Sequence, residues 1–381
     1  MYGTPTDLRC SNCSGALTIV VSSRRRSGRV GPVIAKPVFM ALSLFLGTSG
    51  AETAQPAQAL ASSEQSRLGS GQAGRSTHLT ADSPIQDLLQ HPAFSGFAPL
   101  IMPRHERAVD DTMLIRDFGA LLPYHTNVDP EVVVAGLNRM IDDETAGNTV
   151  FHDIYTAEQK RADPSLNETG LFFFRGKAGA PFAVIAAGGG FSYVGSVHEG
   201  FPYAAGINAE GLNAFVLRYR VSQGRAAAMG DLSAALAYIF RNAGQLGVST
   251  EHYSLWGSSA GARLAASMGS HGTAAFGGEP LPKPAAVVMA YTAHSDYAAT
   301  EPPTFVVVGA HDGISPPAAM QRRVEALRKQ GTPVEYRLYD DVGHGFGIGS
   351  GTSAAGWISE AARFWKKHTL ISAATTTSES R

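Results

Sequence analysis

Cysteine is almost missing from this chain: Cys10 and Cys13 are the only two in 381 residues. A lone Cys-x-x-Cys supplies half of a four-ligand zinc site, and no second pair completes it. Disulfide scaffolds and zinc fingers are therefore excluded. Charge of one sign is missing too: 31 basic and 32 acidic residues leave a net charge of -1, which gives no basic footprint for nucleic acid or an anionic membrane surface. The apolar stretch from Val38 to Leu46 is well short of the roughly 20 residues that a spanning helix needs. No His, Cys and carboxylate cluster has metal-ligand spacing, and Gly188-Gly189-Gly190 lacks the dinucleotide pattern, so neither metal nor cofactor is expected. What remains, 44% hydrophobic and 17% charged, is enough to bury the core of one α/β domain of roughly 250 residues or more.

The N-terminal quarter reads as processing and linker sequence. Arg24-Arg25-Arg26, with Arg29 and Lys36, precede the apolar stretch and the small residues Ser49-Gly50-Ala51. That is the layout of a secretory signal with cleavage after Ala51, and it implies export to the periplasm or beyond. Residues 1–51 are thus expected to be pre-sequence and signal, and 52–93, polar and aperiodic, a disordered linker. A catalytic domain over 94–368 and a Ser/Thr-rich flexible tail over 369–381 complete the expected organisation. Within 94–178 the chain supplies early strands and a covering helix. Leu121-Leu122-Pro123-Tyr124-His125 is the candidate lid over a substrate pocket.

Glycine, by contrast, is plentiful at 42 residues, and one pair frames a serine: Gly257-Ser258-Ser259-Ala260-Gly261 follows the strand-like Tyr253-Ser254-Leu255-Trp256. An Ala-rich helix comes next. A serine between strand and helix occupies a tight turn, and the two glycines keep the crossing backbones free of Cβ clashes, so its Oγ projects above the sheet. Ser259 is the candidate nucleophile. Upstream, the buried-strand pattern Phe182 to Ala187 empties into Gly188-Gly189-Gly190-Phe191, a candidate oxyanion loop. The amide of Gly189 or Gly190 would act there together with that of Ala260.

Downstream, Thr304 to Val308 is a β-branched strand that ends in Gly309-Ala310-His311-Asp312-Gly313, and Glu335 to Tyr339 alternates like a strand before Asp340-Asp341-Val342-Gly343-His344-Gly345-Phe346. Asp312 is the leading acid and His344 the leading base. Rivals exist for each. Ser258 is outside the glycine frame; Asp312 could serve only an Asx-turn before Gly313; Asp340 and Asp341 adjoin His344 too closely in sequence. His198 precedes the serine and is placed with Phe191 and Glu199 at the substrate pocket, as wall or as a loop-fixing pair. His311 has no assigned role, and Asp231 reads as a helix N-cap.

On these residues the chain from about Phe94 to His368 resembles the α/β-hydrolase superfamily, and within it the bacterial acetyl-xylan and feruloyl esterase-like branch. The narrower resemblance rests on the Gly188–Phe191 loop followed by His198-Glu199-Gly200, on Ala214-Phe215-Val216-Leu217-Arg218-Tyr219-Arg220, and on His344-Gly345-Phe346-Gly347 with Gly356-Trp357-Ile358 beyond it. It implies an α/β fold with a doubly wound, mostly parallel sheet and helices on both faces. It also implies hydrolysis of short-chain carboxylic esters, a small-molecule or carbohydrate ester being the substrate, through a Ser-Asp-His triad and an acyl-enzyme. Two departures stand out: Ala187 where many related esterases carry a histidine, and Ser259 where dienelactone hydrolases carry cysteine. A prolyl-oligopeptidase-type peptidase shares the triad order, but residues 52–178 are too few for the propeller such enzymes carry. A non-catalytic binding protein on this fold typically lacks a triad member, and none is lacking here.

Overall fold

The computed structural model describes residues 78–104, 110, 112–221 and 223–379, with side chains as far as residue 369. The expected signal sequence, both cysteines and linker residues 52–77 lie outside the described residues. The helices are α1 (Ile85–Leu89), α2 (Ala98–Ile101), α3 (Pro130–Thr145), α4 (Ala157–Ala162), α5 (Phe201–Ala209), α6 (Gly224–Leu246), α7 (Ala260–His271), α8 (Pro317–Lys329) and α9 (Trp357–Glu379). The strands are β1 (Phe151–His152), β2 (Gly170–Phe174), β3 (Pro181–Ala186), β4 (Asn213–Arg218), β5 (Ser249–Ser258), β6 (Ala286–Ala290), β7 (Thr304–Gly309) and β8 (Val334–Tyr339).

These strands form one sheet in the order β1-β2-β4-β3-β5-β6-β7-β8. From β4 to β8 the neighbours run parallel, whereas β2 is antiparallel to β4 and to β1. Central strands such as Phe182-Ala183-Val184-Ile185 are apolar on both faces because both faces are covered. Phe182 and Val184 join a core with residues of α6, α7 and α8; Ala183 and Ile185 join the opposite core with residues of α3, α5 and α9. The fold class expected from the sequence, a doubly wound α/β sheet, is the one observed. The order of connection reverses about β3, and it is outside the carboxyl ends of strands at such a reversal that α/β sheets open a crevice. The Gly188–Gly190 loop leaves β3 there, and Ser259 leaves the adjoining β5.

Three boundaries differ from expectation. The linker was expected to reach 93, yet Leu79, Ile85 and Leu88 are buried in the main core: Ile85 and Leu88 share the apolar face of α1, and the Leu79 backbone is held by the Asn138 side chain of α3 at 2.8 and 2.9 Å. Asp231 is not an N-cap: α6 begins at Gly224, since Arg225-Ala226-Ala227-Ala228-Met229 has strong helix propensity and extends the helix backwards. Its carboxylate instead accepts the Arg220 backbone N–H at 2.8 Å, the Arg220 guanidinium and the Tyr155 hydroxyl at 2.7 Å. Finally, α9 runs to Glu379 through the segment expected to be a tail.

The crossing of α7 over β3 leaves no room for a side chain. A Cβ on Gly261 would lie 1.9 Å from the Ala186 carbonyl oxygen, and one on Gly257 would lie 2.4 Å from Gly261 backbone. Gly261→Ala is therefore expected to cost about 3 kcal/mol or more. Gly230→Ala, inside α6 with nothing within 4 Å of the added carbon, should instead stabilise by about 0.5–1 kcal/mol. Urea unfolding of the two variants checks both signs.

Candidate active site

Ser259 sits between β5 and α7 with φ +48° and ψ -113°. A serine with positive φ is strained, by about 1–3 kcal/mol, and persists only where its surroundings over-determine it. Here the Ser259 amide donates to the Ala290 carbonyl on β6 at 2.9 Å, and the flanking glycines let strand and helix close together. This is the geometry of a nucleophile elbow.

The loop after β8 brings His344 to Ser259, and the loop after β7 brings Asp312 to His344. His344 Nε2 is 2.9 Å from Ser259 Oγ, and His344 Nδ1 is 2.7 Å from Asp312 Oδ2. The carboxylate can only accept, so Nδ1 carries the proton and Nε2 of the neutral ring is left to accept from the serine hydroxyl. Asp312 also makes the Asx-type turn considered as its alternative role: Oδ1 accepts the amides of Ile314 at 2.9 Å and Ser315 at 2.6 Å. One carboxylate does both jobs, with one oxygen fixing its own loop and the other facing the imidazole. The rivals fall elsewhere. Asp340 and His311 are exposed, and Asp341 is bound to the Ser353 amide at 2.8 Å.

The glycine loop lies against the elbow. Gly189 and Gly190 have φ of +132° and +63°, and a Cβ on Gly189 would meet the Tyr193 carbonyl at 2.2 Å. Among the described residues neither amide is committed to an acceptor. Ala260 is the first residue of α7, where helix geometry leaves amides without an intrahelical partner. The Gly188 amide, in contrast, is occupied: it donates to Glu199 Oε2 and to Ser258 Oγ, the latter at 3.1 Å. Phe191, with φ +57°, is half-buried with its ring edge toward Tyr219.

Glu199 and His198, expected at the substrate pocket as wall or as loop-fixing pair, fix loops. Glu199 is fully buried behind the triad. Its Oε2 accepts from Gly188 N and Ser258 Oγ; its Oε1 accepts from Tyr291 OH at 2.7 Å and His125 Nε2 at 2.9 Å. Ser258 thus points inward to the carboxylate while Ser259 points to the base. Tyr193 OH lies 2.9 Å from the other His125 ring nitrogen and accepts the Tyr124 amide at 3.0 Å. His198 Nε2 donates to the Gly345 carbonyl at 2.9 Å; Thr126 adds its amide to the same carbonyl at 3.0 Å and its hydroxyl to that of His344 at 2.9 Å. The segment Tyr124-His125 expected as a lid is therefore wedged between the glycine loop and the His344 loop, with the Tyr124 ring beside Gly190.

Sequence reasoning placed His125 only in the candidate lid and overlooked Tyr291. Tyr291 follows immediately after β6 and has φ +36°. Its place at a strand's carboxyl end was the available signal, and its ring centroid lies 5.3 Å from that of His344.

Two family matches fall on adjoining, slightly overlapping parts of the chain. Residues 175–280, which hold the glycine loop and the elbow, match the family described as BD-FAE; residues 273–371, which hold Asp312 and His344, match the prolyl oligopeptidase family. The chain has the α/β-hydrolase fold. Among solved structures, an α/β hydrolase enzyme from a Medee basin deep-sea metagenome library is similar at 26% identity, over 53% of this chain and 93% of that one, with a TM-score of 0.46. An acetyl ester-xyloside bifunctional hydrolase from Caldicellulosiruptor lactoaceticus is similar at 19% identity, over 57% and 95%, with a TM-score of 0.49. A carboxylesterase from Lactobacillus plantarum WCFS1 is similar at 21% identity, over 53% and 93%, with a TM-score of 0.47. No curated protein sequence matches the chain.

In this fold, a surface cleft of about 710 Å³ beside α6, lined by Tyr155, Gln159, Ser233, Tyr238 and Phe276 among others, contains none of Ser259, Asp312, His344 or the glycine-loop residues. Among the described residues no cluster of three His, Cys, Asp or Glu could hold a metal ion, and no helix is long and apolar enough to cross a membrane.

Burial opposes charge on Glu199, but the charge and hydrogen bond of His125, the charge of His198 and the Ser258 hydroxyl outweigh it and hold the carboxyl at about 2. Burial first, then neighbouring positive charge, lowers His198, His152 and His294 each to about 4 from 6.5. The unfolded chain therefore takes up protons that the folded one refuses. Stability from these histidines is complete above about pH 6.5 and is lost as pH falls toward 4; Glu199 extends the loss from about 4.5 toward 2. His198→Asn should flatten the upper window by up to about 1.4 kcal/mol per pH unit, one proton's worth. Urea midpoints at several pH values across that window measure it.

Proposed function

We propose that this chain is a serine hydrolase that cleaves short-chain carboxylic esters through an acyl-enzyme on Ser259. One observation carries the reading: an unbroken hydrogen-bonded line runs from Ser259 Oγ through the His344 ring to Asp312, at 2.9 and 2.7 Å, on a strained elbow. As Oγ attacks the ester carbonyl carbon, His344 Nε2 takes the hydroxyl proton, and Asp312 holds the ring and stabilises the imidazolium. The carbonyl oxygen becomes an oxyanion held by the amides of Ala260 and of Gly189 or Gly190. Collapse expels the alcohol, which leaves with the proton from His344. Water then attacks the acyl carbon by the same steps, returning the acid and free Ser259.

Support for an ester substrate is the BD-FAE match across the segment that holds the nucleophile and the glycine loop. A small-molecule or carbohydrate ester is the proposed class. Purified protein should hydrolyse p-nitrophenyl acetate faster than the octanoate. Ser259→Ala should lower kcat by about 10⁴-fold or more, and Asp312→Asn by about 10³- to 10⁴-fold with KM changed little. Near-normal turnover by the serine variant would overturn the assignment.

The prolyl oligopeptidase match over the part that holds Asp312 and His344 favours a second reading, peptide-bond hydrolysis by the same triad. Cleavage of a prolyl p-nitroanilide peptide with no action on p-nitrophenyl esters would select it. Export is part of the proposal, and a mature N-terminus near residue 52 is the result expected on sequencing protein from the native host.

A further inference from the structure

We infer that Glu199 is a positioning residue that sets the spacing of the two arms of the oxyanion site; the inference rests on the serine hydrolase reading above. One arm is the glycine loop, whose free amides belong to Gly189 and Gly190. The other is the elbow, whose free amide belongs to Ala260. Each arm is tied to the same carboxylate oxygen one or two residues before its functional amide. Gly188 N donates to Glu199 Oε2 on the loop side, and Ser258 Oγ donates to it on the elbow side. Gly188 and Ser258 also touch each other, at 3.1 Å, and a Cβ on Gly188 would come within 3.0 Å of Ser259 Cβ. The arms therefore meet at one buried acceptor directly behind the nucleophile.

The other oxygen fixes the carboxylate itself. Tyr291 OH and His125 Nε2 reach Oε1 at 2.7 and 2.9 Å, so four donors fill the four lone-pair sites of a fully buried carboxylate. Tyr291 in turn lies 2.7 Å from Tyr203 OH. No acceptor capacity remains for substrate, and Glu199 touches no reacting atom. Its effect must pass through the amides it places. Misplacing those amides costs transition-state stabilisation and leaves ground-state binding largely alone, because the oxyanion exists only once the serine has attacked.

Glu199→Gln is the direct test, since glutamine keeps the shape but presents an NH₂ to a pair of donors. On the full chain, kcat for p-nitrophenyl acetate should fall about 10²-fold or more while KM stays within about threefold. An aryl trifluoromethyl ketone, whose adduct with the serine carries an oxyanion, should bind more weakly by the same factor as kcat/KM falls. A residue that only stabilised the fold would lower the melting temperature without that proportionality. Ser258→Ala, which removes a single hydroxyl, covers the case in which the glutamine variant does not fold; it should lower kcat and weaken the ketone in step, by about tenfold. Unchanged kcat in a folded Glu199→Gln, a rise in KM alone, or an unaltered ketone affinity in Ser258→Ala would overturn the inference. Wild-type protein without ester turnover would overturn the hydrolase reading and this inference with it, whereas an active wild type beside unaffected variants overturns the inference alone.

Discussion

The first turn of α7 lies so close to the end of β3 that Gly261 has no room for a methyl group beside the Ala186 carbonyl, and the site is arranged around that approach. It forces the chain between β5 and α7 into a turn that only a strained residue can make, and Ser259 occupies it. The same approach sets the glycine loop leaving β3 beside the amides at the start of α7. Ser259 and the free amides are thus brought together by backbone packing, before any side chain contributes. The parallel sheet supplies the rest, since successive crossovers return β6, β7 and β8 with their carboxyl ends at the same edge.

A buried charge sits directly behind this edge. An isolated carboxylate in such a place would take up a proton; Glu199 stays ionised because a donor meets every lone pair. The donors come from four separate parts of the chain, at Gly188, Ser258, Tyr291 and His125. One residue therefore couples loops that sequence separation would leave independent. A polar network of this kind specifies one arrangement only when it is fully satisfied, which here it is. The neutral His198 extends the order to the loop that carries His344 through the Gly345 carbonyl.

Much of the frame was legible because its signals are local. The apolar runs from Phe182 and from Thr304 became β3 and β7, and the alternating Glu335 to Tyr339 became β8. Ser259, Asp312 and His344, which the fold brings into one hydrogen-bonded line, stood out because each sits in a glycine-flanked turn at a strand end. The network behind them was not legible. Nothing in the local sequence of His125 says that its ring reaches Glu199 across the fold, and Ser258 reads only as a rival to its neighbour until its rotamer is known. Asp231 was misread for a related reason: an aspartate among helix formers looks like a cap, while its partners Arg220 and Tyr155 approach from outside the helix. Tertiary hydrogen bonding, not propensity, decides such positions.

The central claim is that Ser259, rather than the adjoining Ser258, is the reactive hydroxyl, and the most direct measurement is the site of covalent capture. Folded protein treated with a fluorophosphonate and digested should yield one phosphonylated peptide, with fragment ions that place the adduct on Ser259. An adduct on Ser258, or no adduct on folded protein, would contradict the account.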